Sequence, residues 1–153
     1  MGLSKLNRLY RAVILDHAAH PHHQHALAAA TNTITLKNPT CGDVIKLDVK
    51  LDATDHIEDI GFTGDGCTIS QSSASMMTDA VMGKSKEAAL HMAKTFSDMV
   101  MGQEHPQADL DQLQDAAILS SVMQFPARIK CATLAWWALQ RALLRADQVT
   151  KED

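Results

Sequence analysis

Long apolar runs, a surplus of positive charge, an even set of cysteines and internal repeats are all missing from this 153-residue chain. No stretch approaches the roughly 20 apolar residues of a membrane span, so no transmembrane helix is expected. Lys and Arg number 14 against 18 Asp and Glu, a net charge of −4. A broad phosphate-binding surface needs clustered basic residues, so nucleic acid is not the expected partner. The opening MGLSKLNRLY has no apolar signal-peptide core, and Leu6 stands where myristoylation wants Ser or Thr. A cytoplasmic protein with no membrane attachment is expected. The three cysteines cannot all pair within one chain, and none forms a CxxC. In a reducing compartment they read as thiols, metal ligands or packing residues.

What is present is ordinary in amount and informative in order. Apolar residues make up 46% and charged residues 21%, enough for one domain with a real core. Leu6, Leu9, Tyr10, Val13, Ile14 and Ala18 form a helical stripe that Pro21 ends. TITL (33–36) and DVIKLDVKLD (43–52) alternate as half-buried strands, the second with Ile45, Leu47, Val49 and Leu51 on one face. HIEDIGFTG (56–64) reads as a third strand whose broken alternation predicts a bulge.

From Cys67 onward the period is helical. One helix follows Cys67 and stops at Gly83. Another starts on the N-cap Ser85 and buries Ala89, Met92, Ala93, Phe96, Met99 and Val100. A fainter helix capped by Asp109 runs toward Pro126, and ARIKCATLAWWALQRALLRA is a strong final one. A helix, then strands, then helices, without βαβ alternation, predicts an α+β fold: a three-stranded antiparallel sheet packed by several helices. Trp136 and Trp137 point about 100° apart on a helix, so one is expected inside and the other outside.

Each cysteine falls near an element end. Cys41 lies in NPTCGD between the first two strands, Cys67 opens a helix, and Cys131 is in the first turns of the last helix. Helix starts favour thiolate over thiol. Asp43, two residues from Cys41 in extended chain, projects to the same side and is a candidate fourth ligand. Spacing alone leaves a metal site and three packing thiols equally open. Arg128 precedes Cys131 by three residues on the same helical face, placed either to balance an anionic site, to meet a partner's carboxylate, or simply in solvent.

NPTCGD (38–43), GDGCTIS (64–70), RIKCATLAW (128–136) and LYRAVILDH (9–17), in this order, resemble the IscU/SufU family of iron–sulfur cluster assembly proteins. The resemblance covers most of the chain, 1–153 as one such domain. It implies a metal or cluster site at Cys41, Asp43, Cys67 and Cys131. Lys130 stands where IscU-type scaffolds carry His, and QFPARIK lacks their Leu-Pro-Pro-Val-Lys motif. GQEHPQADLDQLQ resembles the insertion that marks the SufU branch. That branch implies a zinc-dependent sulfur acceptor, a sulfurtransferase in the persulfide-relay sense. It would take sulfur from a cysteine desulfurase of the SufS type and pass it to a downstream assembly complex, with Cys41 as acceptor. The alternatives are a scaffold that builds a [2Fe–2S] cluster on the same ligands, iron replacing zinc, and an adaptor with structural zinc.

Two other features resemble metal sites. HAAHPHHQH (17–25) is dense in histidine, yet Pro21 splits it and no carboxylate or cysteine beside it closes a site, so a solvated helix end is expected. Met76, Met77, Met92 and Met99 fall on helical stripes and are expected in the core.

Overall fold

The computed structural model describes residues 3–38 and 42–144, with the backbone alone at 3–7, 123 and 124. α1 (Leu3–Ala19) leads into β1 (Asn32–Asn38), β2 (Asp43–Leu51) and β3 (Ile57–Asp65). Then follow α2 (Thr68–Val81), α3 (Lys86–Val100), α4 (Gln107–Gln112), a 3-10 segment (Gln114–Gln124) and α5 (Pro126–Leu144). The strands are antiparallel in the order β1-β2-β3, so the fold is α+β.

β1 alternates buried and exposed at every position. On β2, Ile45, Leu47 and Val49 face the helices and are buried. Alternation fails at Asp48, also buried, because the connector between α1 and β1 crosses the opposite face. The two Asp48 oxygens accept from the Leu27 N–H at 3.0 Å and the Thr33 hydroxyl at 2.8 Å. The same connector lies along β3, where the Phe62 N–H donates to the His23 carbonyl at 3.0 Å. A Cβ on Gly61 would collide with the His25 carbonyl oxygen, so glycine permits this approach. The expected bulge is present: Lys50 faces Asp59 while Leu51 faces Ile57, which leaves Glu58 unopposed.

Helices α2 and α5 form the layer beneath the sheet, with α1, α3 and the 3-10 segment around them. α2 is buried on nearly every side and is rich in small hydroxyl residues, each given a local partner. Ser72 donates to the Ile69 carbonyl at 3.1 Å, Ser73 to the Ala132 carbonyl of α5, and Thr78 to the Ser75 carbonyl at 2.8 Å. α3 starts on Ser85, whose hydroxyl accepts from the Ala88 N–H at 3.1 Å, and it buries the stripe read from the sequence. Trp136 is fully buried and stacks on Phe96 with ring centroids 4.7 Å apart, while Trp137 is 39% exposed.

Two elements differ from expectation. The helix expected from Asp109 toward Pro126 begins instead after Pro106 and breaks at Leu113; Gln114 has φ +54° and a 3-10 segment follows. Its apolar positions, Leu113, Ala116, Leu119 and Val122, recur every three residues and are buried, which is the 3-10 period. On α1 the stripe is only partly sealed: Ile14 is buried, but Leu9 stays exposed, and so does the neighbouring Leu15, which lines a cleft.

Candidate metal centre

The positive end of α2 organises this region. Cys67 is its N-cap, with extended backbone (φ −76°, ψ 174°). Its Sγ accepts from the Ser70 N–H at 3.5 Å, and the Ser70 hydroxyl donates back to the Cys67 carbonyl at 3.1 Å. A sulfur in that position faces the unpaired N–H groups of the first turn. Gly66 makes the approach possible. A Cβ there would strike the Ser70 Oγ and come within 3.2 Å of Asp43 Oδ1.

Asp43 is the first residue of β2, paired across the sheet with Asn38, and is almost wholly buried. Its Oδ1 accepts from the Cys67 N–H at 3.0 Å. Its Oδ2 is buried and has no hydrogen-bond partner among the described residues. An unsatisfied buried acceptor costs about 1–3 kcal/mol, and more when it carries charge. A cation beside Oδ2 would remove that cost.

Two sulfurs lie beside this carboxylate. Cys131, on α5, is fully buried. One Asp43 carboxylate oxygen, Cys67 Sγ and Cys131 Sγ all lie within 4.8 Å of one another. Thiolate and carboxylate donors are those zinc takes in tetrahedral sites, and three are present. The N–H bond to Oδ1 fixes the orientation of the carboxylate, the supporting role that outer groups play around metals. Cys41, the remaining residue of the expected set, lies outside the described residues.

Arg128 is exposed on α5 with its guanidinium toward both sulfurs. Charge on Cys67, then a hydrogen bond to Cys131, holds the guanidinium above its ordinary pKa. The guanidinium is thus placed beside the two sulfurs. Beside it opens a cleft of about 930 Å³, lined by Tyr10, Ile14, Leu15, Cys67, Phe125 and Arg128 among others. The centre is thus buried on its Asp43 and Cys131 side and reachable from the side of Cys67, which is half-buried.

Sequence reasoning missed Gly66 and Ser70 as shapers of this site. Glycines at 64 and 66 immediately before a helix start are the local signal of a close backbone approach. It also misjudged the histidine segment. His17 is buried rather than solvated, and carboxylates reach the segment from remote elements: Asp115 Oδ2 lies 3.0 Å from His17 Nε2, and Asp79 Oδ2 lies 2.6 Å from His22 Nδ1. No local pattern announces partners so far away in the chain. Met76, Met77, Met92 and Met99 are core residues, as expected.

Comparison with known proteins bears on this geometry. The model of the NifU-like N-terminal domain matches residues 9–146. The chain is 57% identical to an iron–sulfur cluster assembly scaffold protein IscU of Streptococcus pyogenes serotype M1, over 99% of this chain and 98% of that protein. It is 47% identical to the zinc-dependent sulfurtransferase SufU of Bacillus subtilis, over 94% of this chain and 95% of that one. Among solved structures, an iron–sulfur cluster assembly scaffold protein for the SUF system from Fervidobacterium islandicum superposes with a TM-score of 0.78 at 33% identity, covering 86% of this chain and 93% of the other.

Proposed function

The chain belongs to the NifU-like N-terminal domain family of iron–sulfur cluster assembly proteins, and from that membership we propose that it is a zinc-dependent sulfur acceptor. It takes persulfide sulfur from a cysteine desulfurase of the SufS type and relays it to the assembly machinery. Zinc would be held by Cys41, Asp43, Cys67 and Cys131. The observation that carries the reading is the buried Asp43 carboxylate, whose Oδ2 is unpartnered among the described residues and one of whose oxygens clusters with two cysteine sulfurs. Bound zinc would supply thiolates near neutral pH, where free thiols are mostly protonated.

Cys41 is the acceptor in this reading. Cys67 caps α2 and Cys131 is embedded in α5, so displacing either sulfur means displacing a helix. Cys41 precedes Gly42, whose φ is +77°, in the connection between β1 and β2. In the transfer, the Cys41 thiolate attacks the outer sulfur of the desulfurase persulfide. A new S–S bond forms at Cys41, the old one breaks, and the desulfurase cysteine leaves as thiolate. The outer sulfur carries its own proton across, so no oxidant or reductant is needed. Arg128, which lines the cleft, would face the negative charge that passes from the attacking thiolate to the leaving one.

The test is incubation with desulfurase and cysteine, then alkylation and peptide mass spectrometry. An additional sulfur on the NPTCGD peptide, absent from Cys41→Ser, is the expected result; sulfur mainly on the Cys67 or Cys131 peptide overturns the acceptor assignment. The second reading, a scaffold for a [2Fe–2S] cluster, is favoured by the scaffold name of the 57% identical relative. It requires coloured protein with visible absorbance after reconstitution and no stable persulfide.

A further inference from the structure

The histidine segment and the far end of α2 build a second cluster with no sulfur in it. His17, near the C-terminus of α1, is buried with its ring between Ser75 Oγ at 2.7 Å and Asp115 Oδ2 at 3.0 Å. His22 follows in the connector. Its backbone N–H donates to the same Ser75 Oγ at 2.8 Å, and its Nδ1 lies 2.6 Å from Asp79 Oδ2. The two imidazoles face each other with centroids 4.7 Å apart, tilted by 48°. One ring nitrogen from each histidine and one Asp79 oxygen lie within 4.8 Å of one another.

We propose that His17, His22 and Asp79 form a second metal site, for a divalent first-row transition ion such as zinc or iron(II). Two imidazoles and one carboxylate are a nitrogen–oxygen donor set of borderline hardness, with coordination positions left for water. The set has the support that ligating histidines need. Whichever nitrogen of His17 binds, the other keeps a partner already in place: Asp115 if Nδ1 binds, Ser75 if Nε2 does. Ligand atoms around a tetrahedral zinc lie about 3.3 Å apart at bond lengths near 2.0 Å, so the cluster must adjust on binding. His22 can supply that movement, being exposed and outside any helix or strand.

The site is separate from the thiolate centre. Cys67 caps one end of α2 and Asp79 lies near the other, about 18 Å along the axis at 1.5 Å per residue. No ion can bridge the two, and each loads independently. The donor classes also differ: sulfur with one oxygen at the first, nitrogen with one oxygen at the second.

Zinc chloride titrated calorimetrically into metal-free protein, with elemental analysis after desalting, tests the assignment. The parent is expected to take up two equivalents per chain, and His22→Ala/Asp79→Asn one fewer than the parent. Both substituted side chains are at least part-exposed, so the variant is expected to fold, and an unchanged far-UV spectrum checks this. His20→Ala/His25→Ala controls for adventitious histidine binding and should match the parent. Cobalt(II) at the second site should add ligand-field bands without thiolate charge-transfer absorbance. Equal uptake by parent and His22→Ala/Asp79→Asn overturns the proposal. So does loss of the equivalent in His20→Ala/His25→Ala.

Discussion

The backbone N–H of Cys67 donates to Asp43 Oδ1 at 3.0 Å, joining the first turn of α2 to the first residue of β2 across 24 positions of sequence. That one bond orients the carboxylate and leaves Oδ2 buried without a described partner. The centre is therefore an anionic socket whose folding cost is recovered when a cation enters.

Asp43→Asn keeps the acceptor for Cys67 and removes the charge. In metal-free protein the variant should be no less stable than the parent, because the buried Oδ2 has no described hydrogen-bond partner to lose. In zinc-loaded protein it should be the less stable of the two, and zinc should leave on the order of tenfold faster under chelator competition. Paired thermal melts with and without zinc check the change of order. The same order in both states would show that Asp43 serves the turn and not a metal.

Gly66→Ala places a Cβ against Ser70 Oγ and near Asp43 Oδ1, so it should cost about 1–3 kcal/mol as overpacking and also weaken zinc retention. Gly83→Ala offers a contrast. Its φ is +81° with nothing within 4 Å of the new Cβ, so it should cost about 1–2 kcal/mol in backbone strain and leave zinc retention unchanged. Denaturant unfolding and metal release measured on both variants separate the two effects.

Arg128→Ala should retain its zinc, since the guanidinium is not a donor to metal, yet accept sulfur more slowly. A charge-assisted hydrogen bond is worth about 1.5–3 kcal/mol, so a loss of tenfold or more in transfer rate is expected, with Arg128→Lys recovering part of it. Persulfide formation followed over time, with zinc content measured on the same samples, checks both halves.

A pH-dependent contact ties α3 to the start of α4. His105 Nε2 lies 3.0 Å from Asp98 Oδ2 and His91 Nε2 lies 3.3 Å from Asp109 Oδ1. A hydrogen bond to Asp98 raises the His105 pKa above 6.5; burial opposes it less strongly, and a weaker hydrogen bond to Asp109 adds to the rise. Asp98 is lowered below 3.8 chiefly by Lys94 and then His105, and Asp109 chiefly by His91. The histidine's contribution is complete below pH 6.5 and is lost as pH rises through its higher folded value. The carboxylates' contribution is complete above pH 3.8 and is lost as pH falls through their lower folded values. The contact is thus fully present from about pH 4 to 6.5 and weakens toward pH 8. His105→Gln should lose the alkaline part of that slope. Zinc-loaded parent and variant, melted in parallel across pH 4–8, give the difference.

The strands and the start of α3 were legible because they are local. Ile45, Leu47 and Val49 alternate, Ser85 caps its helix as its residue type demands, and the single bulge in β3 showed as broken alternation. The 3-10 segment was not, since one residue, Gln114 with φ +54°, changes a helix of one period into another. Asp43, Cys67 and Cys131, which the structure brings together, were singled out by spacing and resemblance, while Gly66 acts only through what its missing Cβ avoids. The histidine cluster depended on Asp79 and Asp115, which reach it through tertiary packing. A segment read alone cannot disclose such partners.

The hydroxyl-rich character of α2 has a consequence for how this chain can vary. Ser72, Ser73, Ser75 and Thr78 are small, enclosed and already committed to carbonyl or imidazole partners. A larger side chain has no room at these positions, and alanine would leave a neighbour without its donor or acceptor. Sequence drift is therefore steered away from the central rod and onto its surroundings, chiefly the exposed connectors and the outer faces of α1 and α4. Laboratory libraries that seek new partner preferences should place their diversity there and leave the rod untouched.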